Sequence, residues 1–314
     1  MSMIHQMLGI KHPIIVAPMF LVSNVEMIVA ACEGGATGAF PALNFRTDEE
    51  LRTAIKEIRN RTDKPFGVNL IVNKSNPKAD HQLSTLLELR VPYIITSLGS
   101  PKAVIDAAKP LGIKVFCDVT NLDYALKVEA LGADAVIAVN NRAGGHCGPI
   151  APEVLIPQLV ARLKIPVISA GGVAKKEDVD RALSWGAAGV SVGTIFLAAT
   201  EAPISADYKQ ALIDYGEKDI VLTTKMSGSH LTVINTPYVQ SIGTKASFLE
   251  RLANKNKWLK KYIKMFIFVR GMKQVEKSAF KATYKTVWCA GPAIEHVHSV
   301  RPLREILKDL TGER

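Results

Sequence analysis

Short apolar runs alternate with amphipathic segments eight times between residues 14 and 200, and no other feature constrains the fold of this chain as strongly. Each run is apolar on both faces, as a strand is when helices cover both sides of its sheet. Strands that alternate with helices pair in parallel, and eight such units close into a barrel. The predicted strands occupy residues 14–19, 36–41, 66–71, 93–99, 114–120, 135–139, 166–172 and 189–196.

An α/β fold, a TIM (β/α)8 barrel, is therefore predicted for residues 1–200. The alternative is an open doubly wound sheet, which would need a topological switch point, and nothing in the sequence marks one. A capping-box pattern from Thr47 to Glu50 begins one of the predicted helices, as expected where a loop leads from a strand into a helix.

The alternation ends after Phe196, so the rest of the chain is predicted to add to the barrel rather than to extend it. Residues 201–285 are predicted to form a small, mainly helical domain that covers the substrate. Their first part is polar and turn-rich, whereas residues 246–282 carry an apolar stripe opposite a basic face, as an amphipathic helix does. This helix is predicted to pack on the barrel, and docking to a membrane surface is the alternative. Residues 286–314 are predicted to return to the barrel, with a closing helix over 300–310.

The net charge of the chain is +10, and most of this charge lies in one segment. Between Arg251 and Lys285 there are eleven Lys or Arg residues and one acid. Basic segments attract nucleic acid, phosphorylated substrates or anionic membranes. No nucleic-acid motif accompanies this one, so neither nucleic acid nor membrane contact is expected. The four cysteines form no CxxC pair and the N-terminus lacks a signal-peptide pattern, which together predict a reduced, cytoplasmic protein.

The loop after the sixth predicted strand is a candidate for chemistry, because a TIM barrel carries its active site at the carboxyl ends of its strands. The chain continues there as Arg-Ala-Gly-Gly-His-Cys-Gly, from Arg142 to Gly148. Glycine lets the backbone approach a ligand closely, and histidine exchanges protons near neutral pH. His146 is therefore a candidate for proton transfer.

Glycines also follow the seventh and eighth predicted strands, where this barrel usually binds phosphate through backbone N–H groups and a short helix. Gly171 and Gly172 end the seventh strand, and Gly193 with Thr194 lies in the eighth. A phosphorylated ligand is therefore predicted across the barrel mouth, with its phosphate near Gly172 and Gly193.

Other polar residues are weaker candidates. His230 lies in the added domain and is a candidate to approach the barrel mouth. Cys147 follows His146, but adjacent loop residues usually point apart and no third orienting group is present, so a Cys–His nucleophile is not favoured. His296 and His298 lack acidic or cysteine partners, so no metal site is predicted.

Seven motifs occur along the chain in a fixed order: PIIVAPM, PFGVNL, LGADAV, AGGHCG, SAGGV, VGTIF and VWCAG. With this ordered set, which runs from Pro13 towards the last helix, the chain resembles the nitronate monooxygenase family, formerly called 2-nitropropane dioxygenases. That family has relatives that act as FMN-dependent enoyl-ACP reductases and NADH:quinone reductases. Each motif alone would be a weak signal, whereas the ordered set is highly specific.

The resemblance implies an FMN across the barrel mouth and a small-molecule substrate above it. It places residues 17–19 against the isoalloxazine ring, Asn69 at the polar edge of that ring, and His146 on the substrate side as the catalytic residue. The phosphate would lie against the glycines after strands seven and eight. The predicted cofactor-binding residues are Ala17, Pro18, Met19, Asn69, Asp118, Ala143, Gly144, Gly145, Ala170, Gly171, Gly172, Gly193 and Thr194.

The activity that the resemblance implies is oxidation of alkyl nitronates with O2. The alternative is an NAD(P)H-dependent FMN reductase that acts on an enoyl thioester or a quinone. NAD(P)H is thus a candidate electron donor, and a homodimer is a candidate assembly.

Two positions depart from the family pattern. Many relatives have Lys where this chain has Asp118, and many have Ser where it has Cys289. Asp118 is predicted to be buried in or above the barrel. A carboxylate there disfavours an anionic flavin unless Lys225 or Arg142 compensates.

Overall fold

The computed structural model describes residues 3–73, 76–224, 230–244 and 287–313. Eight parallel strands close into a barrel, which confirms the predicted TIM barrel and excludes the open sheet. The last barrel strand pairs with the first, with Ile15 opposite Ser191, so the closed sheet has no edge. The barrel strands in pairing order are β1 (Ile14–Val16), β2 (Thr37–Pro41), β3 (Gly67–Ile71), β4 (Tyr93–Ser97), β5 (Lys114–Val119), β6 (Ala135–Val139), β8 (Val167–Ala170) and β9 (Gly189–Val192).

Helices cover the outer face of the barrel. The predicted capping box is confirmed: the Thr47 hydroxyl accepts the N–H of Glu50 at 3.1 Å, and the Glu50 carboxylate accepts the N–H of Thr47 at 3.1 Å. The helices up to β9 are α1 (Met3–Leu8), α2 (Val25–Glu33), α3 (Asp48–Arg61), α4 (Ala79–Glu88), α5 (Lys102–Ala108), α6 (Leu122–Ala130), α7 (Pro152–Val160) and α8 (Lys176–Ser184).

Several strands end earlier than the sequence predicts. β1 stops at Val16, and β9 is followed by a 3-10 helix, Thr194–Ala198, instead of continuing to Phe196. The side chains of Thr194, Ile195 and Phe196 beyond β9 remain buried, and residues 17–19 beyond β1 are half-buried. An apolar run indicates burial whether or not its residues pair with a neighbouring strand. The predicted strands were too long at these ends for that reason.

Apolar side chains fill both the inside of the barrel and the layer between strands and helices. Ile15 points into the barrel with Tyr93 and Phe116, whereas its neighbours Ile14 and Val16 pack outwards against the helices. The rings of Tyr93 and Phe116 stack with their centroids 5.0 Å apart. A barrel filled in this way is a packed core and not a pore, so it holds the loops at its ends in place.

The glycine at the start of β3 is required by the ring that lies opposite it. Gly67 pairs directly with Tyr93, and a Cβ at Gly67 would lie 2.1 Å from Cε2 of that ring. The ring has no room to move, because it is fully buried and its hydroxyl lies 3.0 Å from Oγ1 of Thr37.

We therefore expect Gly67→Ala to lower the free energy of unfolding by about 1–3 kcal/mol, as overpacking of a core does. Thermal and urea unfolding of purified protein measure this change. Adding Tyr93→Leu removes the clashing ring atoms, so the second substitution should cost less in the Gly67→Ala background than in the wild type. Equal costs in the two backgrounds would show that the ring does not set the requirement for glycine.

A second, three-stranded antiparallel sheet lies beside the barrel. Its strands, in pairing order, are β10 (Ile220–Thr223), β11 (Leu231–Ile234) and β7 (Gly145–His146), and the same part of the chain contains α9 (Ala206–Asp214) and α10 (Pro237–Ile242). Residues 220–223 and 231–234, which lie in the stretch interpreted as polar and turn-rich, thus form strands that the sequence did not indicate. Strands of two to four residues are too short to show a period-2 pattern, which is why the sequence did not indicate them.

The C-terminal segment contributes a 3-10 helix, Pro292–His296, and α11 (Leu303–Thr311), which packs against α2 and α8. α11 begins three residues later than predicted, after Pro302. The predicted amphipathic helix over 246–282 lies outside the described residues. Among the described helices, none combines the length and the apolar character needed to cross a membrane.

Candidate functional site

A cavity of about 1110 Å³ opens at the carboxyl ends of the barrel strands. This volume exceeds the range of roughly 300–1,000 Å³ that is typical of ligand pockets, so the cavity has room for more than one bound molecule. All the residues predicted from the sequence as site residues line it, namely His146 and the thirteen predicted cofactor-binding residues. The structure therefore brings together residues that come from six of the eight barrel strands or from the loops after them.

His146 is held over this cavity by β7. In the antiparallel pair of β7 and β11, His146 lies opposite Leu231 and Gly145 lies opposite Thr232. The Thr232 hydroxyl donates to the carbonyl of Ala143 at 2.6 Å, which ties the loop before β7 to β11. The His146 side chain is exposed where it lines the open cavity, and desolvation by the surrounding protein lowers its pKa from the ordinary value of 6.5. His146 is thus neutral near pH 7 and able to accept a proton.

The Gly-Gly-His loop contains glycine for a reason that the sequence did not indicate. A Cβ at Gly144 would lie 2.8 Å from the backbone nitrogen of Gly291 and 2.8 Å from Oγ1 of Thr194. The Gly291 N–H donates to that Thr194 hydroxyl at 3.0 Å. Gly144, predicted to approach the flavin, therefore also admits the C-terminal segment to the barrel mouth, and Gly291 is a site residue that sequence reasoning missed.

Asn140 is a second residue that sequence reasoning missed, and it joins the loops after β6 and β8. It is fully buried; its side-chain amide donates to the carbonyl of Gly171 at 3.0 Å, and its Oδ1 accepts the N–H of Arg142 at 2.8 Å. Gly171 has a φ of +113°, and a Cβ there would lie 2.5 Å from the nitrogen of Ala143. The positive φ and the close approach both require glycine at this position.

Gly193 differs from these glycines, because no protein atom crowds it. Its φ is −119°, and a Cβ there would lie 3.6 Å or more from its nearest neighbours, which are the side chains of Met19 and Ala17. Neither backbone conformation nor protein packing therefore explains the glycine. Gly193 and both of these neighbours line the cavity, where a bound ligand would reach the backbone. This observation fits the predicted phosphate position after the eighth barrel strand.

Three polar residues on adjacent strands form a hydrogen-bonded chain in the cavity wall. The Asn69 amide on β3 donates to Oγ of Ser97 on β4 at 2.7 Å, and the Ser97 hydroxyl donates to Oδ2 of Asp118 on β5 at 2.5 Å. Burial raises the pKa of Asp118 to about 6, and the hydrogen bond from Ser97 opposes this rise. Asp118 thus lies at the barrel mouth as the sequence predicted, although it is half-buried rather than buried, while Ser97 was not singled out.

The family model for nitronate monooxygenase matches residues 1–313 of this chain. The chain belongs to the nitronate monooxygenase family. It is therefore an oxidoreductase, as the ordered motifs predicted.

The chain is similar to two relatives and one solved structure with different names. A nitronate monooxygenase from Pseudomonas aeruginosa is 32% identical over 269 residues, which cover 71% of this chain and 76% of that protein. A (3aS,4S,5R,7aS)-5-hydroxy-7a-methyl-1-oxo-octahydro-1H-indene-4-carboxyl-CoA dehydrogenase from Rhodococcus jostii is 32% identical over 237 residues, 76% of this chain and 66% of that protein. The structure of FabK from Thermotoga maritima matches with a TM-score of 0.85 and 27% identity, covering 100% of this chain and 96% of that one.

The position where this family member has Cys289 lies at the cavity wall opposite the barrel loops. Burial raises the pKa of the Cys289 thiol to about 12, so the thiol is uncharged. The Cys289 carbonyl accepts a hydrogen bond from the Tyr208 hydroxyl at 2.6 Å, and the Tyr208 ring stacks on Trp288 with centroids 5.3 Å apart. These contacts fix the C-terminal segment against α9.

The weaker candidates separate into two groups in the structure. His230 and Cys147 both line the cavity, and the Cys147 N–H donates to the carbonyl of His230 at 3.3 Å. Burial raises the pKa of the Cys147 thiol, which agrees with the prediction that it is not a nucleophile. His296 and His298 are exposed, and within the described residues no group of His, Cys, Asp or Glu is arranged to hold a metal ion.

Of the two cations considered as compensating charges for Asp118, the structure describes only Arg142. Arg142 lines the cavity, but its guanidinium pairs with the carboxylate of Glu217 at 2.9 Å. Lys225 lies outside the described residues.

Proposed function

We propose that this chain is an FMN-dependent oxidoreductase that oxidises alkyl nitronates with O2. One observation supports the proposal most strongly: the backbone at Gly193 is left open to the same cavity that a neutral His146 faces. The first feature suits the phosphate of a bound nucleotide, and the second suits proton transfer beside a flavin. We place this enzyme in the cytoplasm and expect it to act on a small-molecule substrate, with a homodimer as the candidate assembly.

FMN would be held by residues that come from separate strand ends. Its phosphate would contact the backbone at Gly172 and Gly193, and Asn69 would face the ring edge. When bound, FMN supplies an acceptor for two electrons and a centre that reacts with O2. The protein residues orient the substrate, exclude bulk water and move a proton.

His146 is the residue to which we assign proton transfer. Its Nδ1 or Nε2 would accept the proton from the carbon next to the nitro group of a neutral nitroalkane. Because burial lowers the pKa of His146, the neutral, proton-accepting imidazole persists as the pH falls below 6.5. The acid limb of the activity profile that belongs to His146 should therefore lie below pH 6.5.

A second candidate function is reduction or oxidation of an acyl thioester, with NAD(P)H as the partner in electron transfer. It is favoured by the relative from Rhodococcus jostii, whose name specifies a carboxyl-CoA dehydrogenase. The cavity also has more space than a flavin and a short nitroalkane need, which would suit a longer acyl group.

Anaerobic reduction of the bound flavin distinguishes these functions. We expect the protein to purify yellow with about one FMN per chain, identified by chromatography after release. A preformed alkyl nitronate should bleach the flavin within seconds in the absence of O2, and NADH or NADPH should not. Bleaching by NAD(P)H but not by nitronate would favour the second function. Colourless protein that FMN cannot reconstitute would contradict both.

A further inference from the structure

The two hydrogen bonds that link Asn69, Ser97 and Asp118 run in one direction, from Asn69 to Asp118. Asn69 is buried and its amide also donates to the carbonyl of Ile95 at 3.1 Å, so the amide is held and its second hydrogen points at Ser97. The Ser97 oxygen accepts that hydrogen, and the single hydrogen of its hydroxyl goes to Oδ2 of Asp118. Oδ1 of Asp118, which has no hydrogen bond in the described structure, is left as the oxygen that gains or loses a proton.

Among the described residues around Asp118, none forms an ion pair with its carboxylate. From α6, Tyr124 lies nearby with its hydroxyl donated to the carbonyl of Gly99, while Asp123 and Lys127 line the same cavity. On the same strand as Asp118, burial raises the pKa of the Cys117 thiol to about 11, so that thiol is neutral.

From the loops after β6, Arg142 is paired with Glu217 and His146 is neutral. The balance between the charged and the neutral forms of Asp118 is set by burial and by Ser97, with no contribution from a described cation.

A buried carboxyl in this state responds to any charge that appears in its cavity. Added negative charge disfavours the carboxylate and raises its pKa, whereas a nearby cation would hold the carboxylate ionised. A bound flavin gains negative charge on reduction. Asp118 shares its cavity with every residue predicted to hold that flavin.

We propose that Asp118 takes up one proton from solvent when the bound FMN is reduced and releases it when the FMN is reoxidised. The cofactor gains two electrons and one proton, which leaves one added negative charge. Oδ1 of Asp118 gains the second proton, so the cavity as a whole gains no charge. The electrons come from the organic substrate and leave to O2. This role rests on the proposed function, because it needs FMN in this cavity.

The number of protons taken up per two electrons tests this role without measuring turnover. The midpoint potential of the bound FMN, measured spectroelectrochemically across pH 5–9, has a slope that gives this number. Around pH 7 we expect about two protons for the wild type and about one for Asp118→Asn, whose amide does not titrate. The wild-type number should fall towards one below the pH at which Asp118 is already protonated in the oxidised protein. The spectrum of the reduced flavin, recorded in the same titration, shows whether a proton has gone to the flavin instead.

Two further variants act as controls. Asp123→Asn removes another carboxylate of the same cavity wall, and it should leave the proton number at two. Ser97→Ala removes the hydrogen bond that favours the charged form of Asp118, so the region of two-proton uptake should shift to higher pH. A holoenzyme in which Asp118→Asn and wild type take up equal numbers of protons would overturn the role of Asp118 and leave the proposed function standing. A protein that fails to bind FMN would overturn both.

Discussion

Replacing His146 by alanine is expected to lower turnover of a nitroalkane by about 10²–10⁴-fold, the usual contribution of one proton-transferring group. FMN should stay bound, because its predicted contacts at Gly172 and Gly193 lie on other loops of the barrel mouth. Steady-state kinetics measure the loss, and the ratio of FMN to protein after gel filtration measures retention of the cofactor. A His146→Ala enzyme that is fully active with the neutral nitroalkane would contradict the role assigned to His146.

The substrate itself supplies a control for this prediction. A preformed nitronate has already lost the proton from its carbon, whereas the neutral nitroalkane has not. His146→Ala should therefore lose more activity with the nitroalkane than with the nitronate. His146→Gln separates proton transfer from positioning, since glutamine forms hydrogen bonds but does not accept a proton at neutral pH. Recovery of activity in His146→Gln would make His146 a positioning residue.

The barrel could be predicted from the sequence because its signal is repeated. Each strand is buried on both faces and appears as an apolar run, and eight runs separated by helical segments leave few alternatives. The same cause made the strand ends inaccurate: Phe196 is as buried in its 3-10 helix as it would be in a strand. The apolar pattern indicates which residues are buried, but it does not indicate which residues pair in a sheet.

Individual residues of the site could be predicted from the sequence, but the contacts between them could not. His146 and the glycines after β8 and β9 were placed correctly at the barrel mouth, because strand order determines which loops meet there. The pairing of His146 with Leu231 was not predictable, since the two residues belong to short strands that are far apart in the chain. Gly291 and Asn140 were missed for a related reason: their partners come from other loops, and no local pattern marks them.

Asp118 departs from the family pattern, and the sequence predicted its burial but not its contact with Ser97. Its position at the end of a strand indicated that it would be buried. Its partner Ser97 ends the neighbouring strand, two positions after Ile95, and only the register of β4 with β5 brings the two side chains together. The chemistry of the carboxyl depends on that contact and on the absence of a described cation beside it.

The cofactor should be lost from Gly193→Ala without loss of the fold. The nearest atoms to the added methyl group would be those of the Ala17 and Met19 side chains, at ordinary contact distances. The apo protein should therefore keep its stability within about 1 kcal/mol of the wild type, as Gly→Ala does where the backbone permits it. A ligand that needs the backbone of Gly193 would be displaced. We expect the affinity for FMN to fall by at least about tenfold, which corresponds to about 1.4 kcal/mol.

Gly144→Ala is the matched variant that separates a packing glycine from a ligand-binding one. Its methyl group would lie 2.8 Å from the nitrogen of Gly291, so the C-terminal segment would have to move. This variant should lose about 1–3 kcal/mol of stability already in the apo form, and it should lose FMN as a consequence. Fluorescence titration of apo protein with FMN measures affinity, and thermal unfolding of the same samples measures stability. If Gly193→Ala bound FMN as tightly as the wild type does, the phosphate would not lie against Gly193, and the cofactor would have to be held elsewhere in the cavity.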